Sequence, residues 1–374
     1  MKKNTIRYYL LSLLLTIPIG KVSAQSALFP MSSVRLLPSR FQENFKRDSA
    51  WIMSIPVPSL LHSFFYDAAK IDPLKQGNDD LGSNHANTFI PKLIGEARRY
   101  ELQGRSPVAT RTGNDSSRQA ASLLFNTLAF KHAFVTGEVS DKEHLFDAQK
   151  QSKHLTGYDG ENCCTFNLLK LATHVYSWNI KDAAKREQTV AYCERALYNH
   201  ILGQQDPQTS MVCYFTPLLS GAYRLYSTRD SSYWCCVGSG FESHVGYARF
   251  IYGHDGDGDL FINLLIPSRL TWQGTTLTQT TDFPQSGKTT LTLSGKPRCF
   301  NVHLRRPAWA TSVSVKVNGK KAKNIVWQKN DIIIPPIASA SSKHSATKEG
   351  KESIEVTYGM ALHEEATRDD PNRC

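Results

Sequence analysis

Apolar residues change their spacing once along this chain, and the change divides it. From about residue 33 to 252 they recur at three and four positions, the period of an amphipathic helix. Phe89, Leu93, Ala97 and Tyr100 form one such stripe, with Pro91 near its start and Gly104 just past its end, where those residue types suit a helix. Leu124, Leu128 and Phe134 predict a second helix, and Leu168, Leu171, Val175 and Trp178 a third. Val190, Cys193, Leu197 and Ile201 predict a fourth, and Phe241, Val245, Ala248 and Ile251 a fifth.

Beyond His254 short alternating runs take over, at 260–266, 289–293, 301–304, 312–317, 325–327 and 354–358, separated by Gly, Pro and Asn-Gly turns. Val317-Asn318-Gly319-Lys320 reads as a hairpin, because Asn-Gly supplies the positive φ angles of a tight two-residue turn. Such strands predict an antiparallel β-sandwich after the helical domain. A Ser-, Ala- and Lys-rich stretch at 338–353 reads as a flexible loop.

At the other end, Lys2-Lys3, an apolar run over 8–19 and Val22-Ser23-Ala24 have the layout of a signal peptide cleaved after residue 24. A membrane anchor is the alternative, but the run is short for a bilayer and no later segment reaches 18 apolar residues. The expectation is an exported product, periplasmic or extracellular, with no stable membrane span. It has a helical domain over 25–254 and a β-sandwich over 255–374.

Composition narrows the possibilities. With 40% apolar and 10% aromatic residues among 374, the chain can bury a large core, which excludes disordered, collagenous and coiled-coil descriptions. The net charge of +11 suggests nucleic acid, yet Lys2, Lys3, Arg7 and Lys21 lie in the leader and no dense Lys/Arg block follows. No nucleic-acid partner is expected. Eight cysteines are too sparse for a disulfide scaffold.

Four of those cysteines stand in two pairs: Gly160-Glu161-Asn162-Cys163-Cys164, and Trp234-Cys235-Cys236-Val237-Gly238-Ser239-Gly240. Both pairs fall at predicted helix starts, where a thiol ionises more easily. Glu161, Cys163, Cys235 and Cys236 would give one oxygen and three sulfurs, a complete tetrahedral set for zinc, at a spacing that fits no standard zinc finger. In an exported protein the pairs could equally be joined by disulfides such as Cys163 to Cys235, or be buried thiols. Cys193 lies in a helix stripe and reads as core, while Cys213, Cys299 and Cys374 have no neighbours that suggest chemistry. Asp255-Gly256-Asp257-Gly258-Asp259 has a calcium-loop flavour but lacks the Glu at the twelfth position, so a turn into the first strand is expected.

The stretch from Thr156 to Cys164, with Tyr214-Phe215-Thr216-Pro217, Ser232-Tyr233-Trp234-Cys235-Cys236 through Glu242, and His85-Ala86-Asn87-Thr88-Phe89, resembles the zinc-thiolate β-L-arabinofuranosidases of glycoside hydrolase families 127 and 146. The resemblance runs in order from about residue 41 to 373. It implies an (α/α)6-barrel-like domain, shortened near 74–84, followed by β-sandwich material that stops early at Cys374. It also implies Zn2+ on Glu161, Cys163, Cys235 and Cys236, with Cys235 as nucleophile and Cys164 a bystander.

Within Ser140-Asp141-Lys142-Glu143-His144, the same likeness points to Glu143 as acid/base, although Ser140 to Glu143 also fits a helix capping box. His85 and Tyr214 match positions that face the sugar, and either could instead cap or pack locally. Glu242 and His244 would support a glycine-rich turn after the cysteine pair. The implied activity is retaining hydrolysis of an arabinose-containing oligosaccharide or glycan. The alternative is a catalytically inactive shortened paralogue that keeps the metal site and binds carbohydrate or serves a structural role. Oligomeric state is not legible.

Overall fold

The computed structural model describes residues 28–29, 33–54, 81–82, 84–103, 116–256, 258–336 and 351–373. The expected signal peptide at 1–24, most of the joint at 74–84, residues 338–350 of the expected loop, Gly104, Asp257 and Cys374 lie outside them. Six α-helices are described: α1 (Arg40–Ser54), α2 (Ala86–Gln103), α3 (Ser116–Thr127), α4 (Asn162–Trp178), α5 (Ala183–Asn199) and α6 (Cys235–Val245). None of the described helices is long and apolar enough to cross a membrane.

Burial explains why each predicted stripe is helical. In α2, Phe89, Ile90, Leu93 and Ala97 are buried on one face. α4 buries Leu168, Leu169, Leu171, Ala172, Val175 and Tyr176, nearly all the way round, because it packs against α2, α3, α5 and α6 and so forms the centre of the helical domain. Asp182 starts α5 by accepting from the Ala184 and Lys185 backbone N–H groups. Three helices stop short of their stripes. α3 gives way to a π-turn at Leu128–His132 that leaves Phe134 outside, α5 ends two residues before Ile201, and α6 breaks at Gly246 before a 3-10 turn at Tyr247–Phe250. α1 carries a stripe that periodicity alone did not single out.

Two sheets pack beside the helices. A seven-stranded sheet has the order β1-β4-β5-β6-β12-β8-β9, with β1 at Val34–Leu36, β4 at Ser268–Trp272, β5 at Thr275–Thr281, β6 at Lys288–Gly295, β8 at Ser312–Val317, β9 at Lys320–Lys321 and β12 at Glu352–Gly359. A five-stranded sheet has the order β10-β11-β7-β3-β2, with β2 at Tyr252–His254, β3 at Leu260–Ile262, β7 at Val302–Arg305, β10 at Val326–Trp327 and β11 at Asp331–Ile334. Leu277, Leu291, Leu293, Ile354 and Val356 alternate inward from the larger sheet.

Pairing is antiparallel as expected, except that β3 runs parallel to β7, Leu260 opposite Val302. β1 lies ahead of every described helix in sequence yet pairs with β4, Val34 opposite Leu270. β12 begins at Glu352, inside the stretch expected to be a loop. The Asn-Gly hairpin is present: Val317 pairs with Lys320, and Asn318 and Gly319 have φ of 51° and 75°. The Asp255 N–H and carboxylate both bond to the Asp259 backbone, the expected turn into β3.

Buried ion pairs join the helices to the smaller sheet. Arg305 of β7 donates to Glu187 and Glu194 of α5, both at 2.7 Å, and Arg186 of α5 donates to Asp331 of β11 at 2.7 Å.

Candidate active site

Both cysteine pairs lie in the first turn of a helix, and neither helix has a side-chain cap. Glu161 and Trp234 occupy the cap positions of α4 and α6 without bonding the first N–H groups, so both positive helix ends face the thiols. Gly160 makes the approach possible: its φ is 63°, and a Cβ there would stand 3.0 Å from the Thr216 carbonyl oxygen. The 214–216 segment is then tied down by Asn162 N–H to the Tyr214 carbonyl, 3.2 Å, and Thr216 N–H to the Asp159 carbonyl, 2.9 Å. Ser239 of α6 accepts from Asn162 Nδ2 at 2.9 Å, which leaves its own proton for Cys163 Sγ at 3.0 Å.

These contacts gather Glu161, Cys163, Cys235 and Cys236, the predicted set, with their ligand atoms all within 4.8 Å of one another. Cys163 and Cys236 Sγ are 3.3 Å apart, Cys235 and Cys236 Sγ 4.0 Å, and Glu161 Oε1 lies 4.0 and 3.9 Å from Cys235 and Cys236. Bonds of about 2.3 Å in a tetrahedron hold sulfurs about 3.8 Å apart, close to these separations, so the donor set suits a cation of zinc's size. All seven described cysteines are free.

The electrostatics favour a cation. Hydrogen bonds from the Cys163 and Cys236 thiols, together with the Tyr214 hydroxyl, pull the Cys235 thiol well below the ordinary range. Burial pushes the Glu161 carboxyl up to about 8, with the Cys235 charge adding to the effect. Its bond to Cys235 pushes the Cys163 thiol up, and burial pushes Cys236 up. The thiols thus oppose one another's ionisation, and a divalent cation would relieve that opposition.

Cys164 is not a bystander. Its buried Sγ donates to Glu161 Oε2 at 2.8 Å, which turns Oε1 toward the other sulfurs.

Glu143 reaches the cluster through Tyr214, whose hydroxyl donates to Glu143 Oε1 and stands 3.4 Å from Cys235 Sγ. His85 Nε2 lies 3.6 Å from Glu143 Oε2. The capping-box alternative is overturned: 140–143 starts no helix but forms a turn with Lys142 and Glu143 at φ of 49° and 67°. Two consecutive non-glycine residues in the left-handed region are costly, and the neighbours hold them there. Lys142 N–H donates to the Tyr158 carbonyl at 3.0 Å, and Ala86 N–H to the Glu143 carbonyl at 2.8 Å. His85 precedes α2, so the turn also docks on the start of that helix.

A second layer was not singled out from sequence. Asp141 accepts from Thr156 Oγ1 at 2.7 Å and pairs with His154 at 2.8 Å; Asp159 accepts from the Thr156 and Leu218 N–H groups at 2.6 and 3.2 Å. Thr156 and Asp159 lie within the quoted motif, which was the available signal. Gly238 and Gly240 lie inside α6, so no glycine-rich turn follows the cysteine pair. His244 instead bonds the Tyr247 hydroxyl, and Glu242 pairs with Lys170 at 2.9 Å. A separate cavity of ≈ 1330 Å³ lies between α5 and the sandwich, and none of the cluster residues lines it.

Comparison with known proteins places this geometry. The model of the β-L-arabinofuranosidase GH127 catalytic domain matches residues 61–249, and that of the GH127 middle domain matches 259–332. Among solved structures, a GH127 β-L-arabinofuranosidase from Geobacillus stearothermophilus T6 is 19% identical over 76% of this chain and 44% of its own, with a TM-score of 0.58. A glycoside hydrolase is 18% identical over 79% and 52%, TM-score 0.60, and another GH127 β-arabinofuranosidase is 17% identical over 75% and 44%, TM-score 0.59. At these identities the likeness is one of fold, and the chain spans about half the length of these proteins. No curated protein matches it.

Proposed function

Because the chain belongs to the GH127 β-L-arabinofuranosidase family, we propose that it hydrolyses terminal β-L-arabinofuranosyl residues of an arabinose-containing glycan, with retention, as an exported protein. The observation that carries the reading is that Tyr214's hydroxyl touches both Glu143 and Cys235 at the rim of the Glu161, Cys163, Cys235 and Cys236 cluster. One bridging oxygen holds an acid and a nucleophile close together, as in retaining pairs, whose groups are about 5–5.5 Å apart.

In this reading the four cluster residues hold zinc, which keeps the sulfurs ionised at neutral pH. Cys235, the exposed member, attacks the anomeric carbon, while Glu143 gives its proton to the departing oxygen. Glu143 then takes a proton from the water that displaces sugar from Cys235 Sγ. Burial and the neighbouring Cys235 push the Tyr214 phenol up, so it stays a donor throughout. His85, beside Glu143, binds a sugar hydroxyl.

The cleft's openness favours a second reading, metal and glycan binding without turnover. His85 is 40% and Glu143 35% exposed, where catalysis gains from excluding water. A turnover assay separates the two: zinc-loaded protein should release arabinose from an aryl β-L-arabinofuranoside, and Cys235→Ser should stop it. A protein that binds zinc and releases no arabinose would support the second reading.

A further inference from the structure

Four aromatic rings run in contact from the cysteine pair toward the turn that carries Glu143. Trp234 meets Tyr214 with ring centroids 5.9 Å apart, Tyr214 meets Phe215 at 4.5 Å, and Phe215 meets Tyr158 edge-on at 5.7 Å. Trp234 directly precedes Cys235 at the start of α6. At the other end, the Tyr158 carbonyl accepts the Lys142 N–H, one residue before Glu143. Tyr158 is 56% and Trp234 39% exposed.

Tyr214 is committed through its hydroxyl to Glu143 and Cys235, but the proposed reaction uses none of the other three rings. We propose that Trp234, Phe215 and Tyr158 form a platform for the sugar on the leaving-group side of the scissile bond, so that the preferred substrate is at least a disaccharide of neutral sugars. This inference rests on the glycosidase reading above. An acid that protonates a leaving oxygen must face the leaving group, and Tyr158 is tied by its backbone to the turn bearing that acid. Sugar rings carry faces of C–H groups that lie against aromatic rings, and a line of aromatics with exposed rings at both ends, Tyr158 and Trp234, at the rim of a reactive centre is an apolar surface with an occupant to explain. The platform itself bears no charge, which suits a neutral glycan over a charged one.

The test compares a β-L-arabinofuranosyl disaccharide with methyl β-L-arabinofuranoside as substrates of the zinc-loaded wild type, Tyr158→Ala and Tyr158→Phe. Tyr158 is exposed, so neither change threatens folding. Losing the ring should raise the KM of the disaccharide about 3- to 10-fold relative to that of the methyl glycoside. Tyr158→Phe should restore the wild-type ratio, which a hydroxyl contact would not permit. A ratio that Tyr158→Ala leaves unmoved, with the methyl glycoside still turned over, would overturn the platform and leave the glycosidase standing. If neither substrate is turned over, calorimetric titration with the disaccharide replaces KM. Binding weakened by Tyr158→Ala then keeps the platform and rejects the glycosidase, and binding that ignores Tyr158 rejects both. A sedimenting dimer that Tyr158→Ala converts to monomer, with glycan affinity intact, would instead make the strip a contact between copies of the chain and overturn the proposal.

Discussion

Tyr214 Oη stands 3.4 Å from Cys235 Sγ and donates its proton to Glu143. A hydrogen bond to a charged group contributes about 1.5–3 kcal/mol. Tyr214→Phe keeps the ring and its packing on Phe215 and Trp234 while removing that bond. The expected result is a kcat lower by about 10- to 100-fold at unchanged zinc content. Loss of zinc in step with activity would show that the tyrosine acts through the metal cluster instead.

Glu161 owes its orientation to Cys164, and the pair gives a second prediction. Removing an outer partner of a metal-ligating group typically weakens the metal about 10- to 100-fold. Cys164→Ala leaves Glu161 Oε2 unpaired and should weaken zinc by about tenfold at the low end of that range, whereas Cys164→Ser keeps a donor and should stay close to wild type. Competition with a chromogenic chelator measures both, and equal affinities for the two variants would return Cys164 to the role of bystander.

Glu138 makes stability depend on pH. Burial pushes its carboxyl up to about 8 from 4.5, and neither carboxylate oxygen has a hydrogen-bond partner among the described residues. The folded state therefore holds a proton that the unfolded chain releases. Its contribution is complete below pH 4.5 and is lost as pH rises through about 8. Thermal unfolding should occur at a lower temperature at pH 9 than at pH 6, and Glu138→Gln, which stays neutral, should flatten that slope. A variant with the wild-type slope would assign the dependence to other groups.

Arg305 ties the helices to the smaller sheet through two buried carboxylates. Replacing it with methionine strands the buried Glu187 carboxylate and leaves that of Glu194 held by the Trp309 indole N–H without its cation, a loss of about 3–5 kcal/mol. Denaturant unfolding should register that loss, and a variant within 1 kcal/mol of wild type, taking about 1 kcal/mol as an ordinary substitution effect, would contradict it.

Elements are legible in the sequence where burial follows one period. The stripes of α2, α4 and α5 were legible because each helix hides one face or is wholly enclosed, and the strands β6, β8 and β12 because they alternate. Strands β4 and β5 are not legible, because their inward positions include Thr275, Gln279 and Thr281; there buried polar groups replace apolar ones, and Gln279 is satisfied by the Leu264 and Ile266 carbonyls. The parallel pairing of β3 with β7 left no trace, since β3 is buried on both faces.

At the site, the paired cysteines were legible as chemistry. The bridge from Tyr214 to Glu143 was not, because it depends on a left-handed turn at Lys142 and Glu143 that no local preference announces. The bond from Cys164 to Glu161 was hidden likewise, since adjacent residues of one helix start point in different directions.

The central claim is that sulfur, not carboxylate, bonds to the sugar, and peptide mass spectrometry tests it most directly. Zinc-loaded Glu143→Ala should still be glycosylated by a nitrophenyl β-L-arabinofuranoside, whose leaving group needs little acid help. It lacks the base that releases the sugar. A pentosyl adduct should accumulate on the peptide bearing Cys235 and be absent when Cys235→Ser is added. An adduct on Glu161 or another carboxylate, or full turnover by Cys235→Ser, would contradict the account.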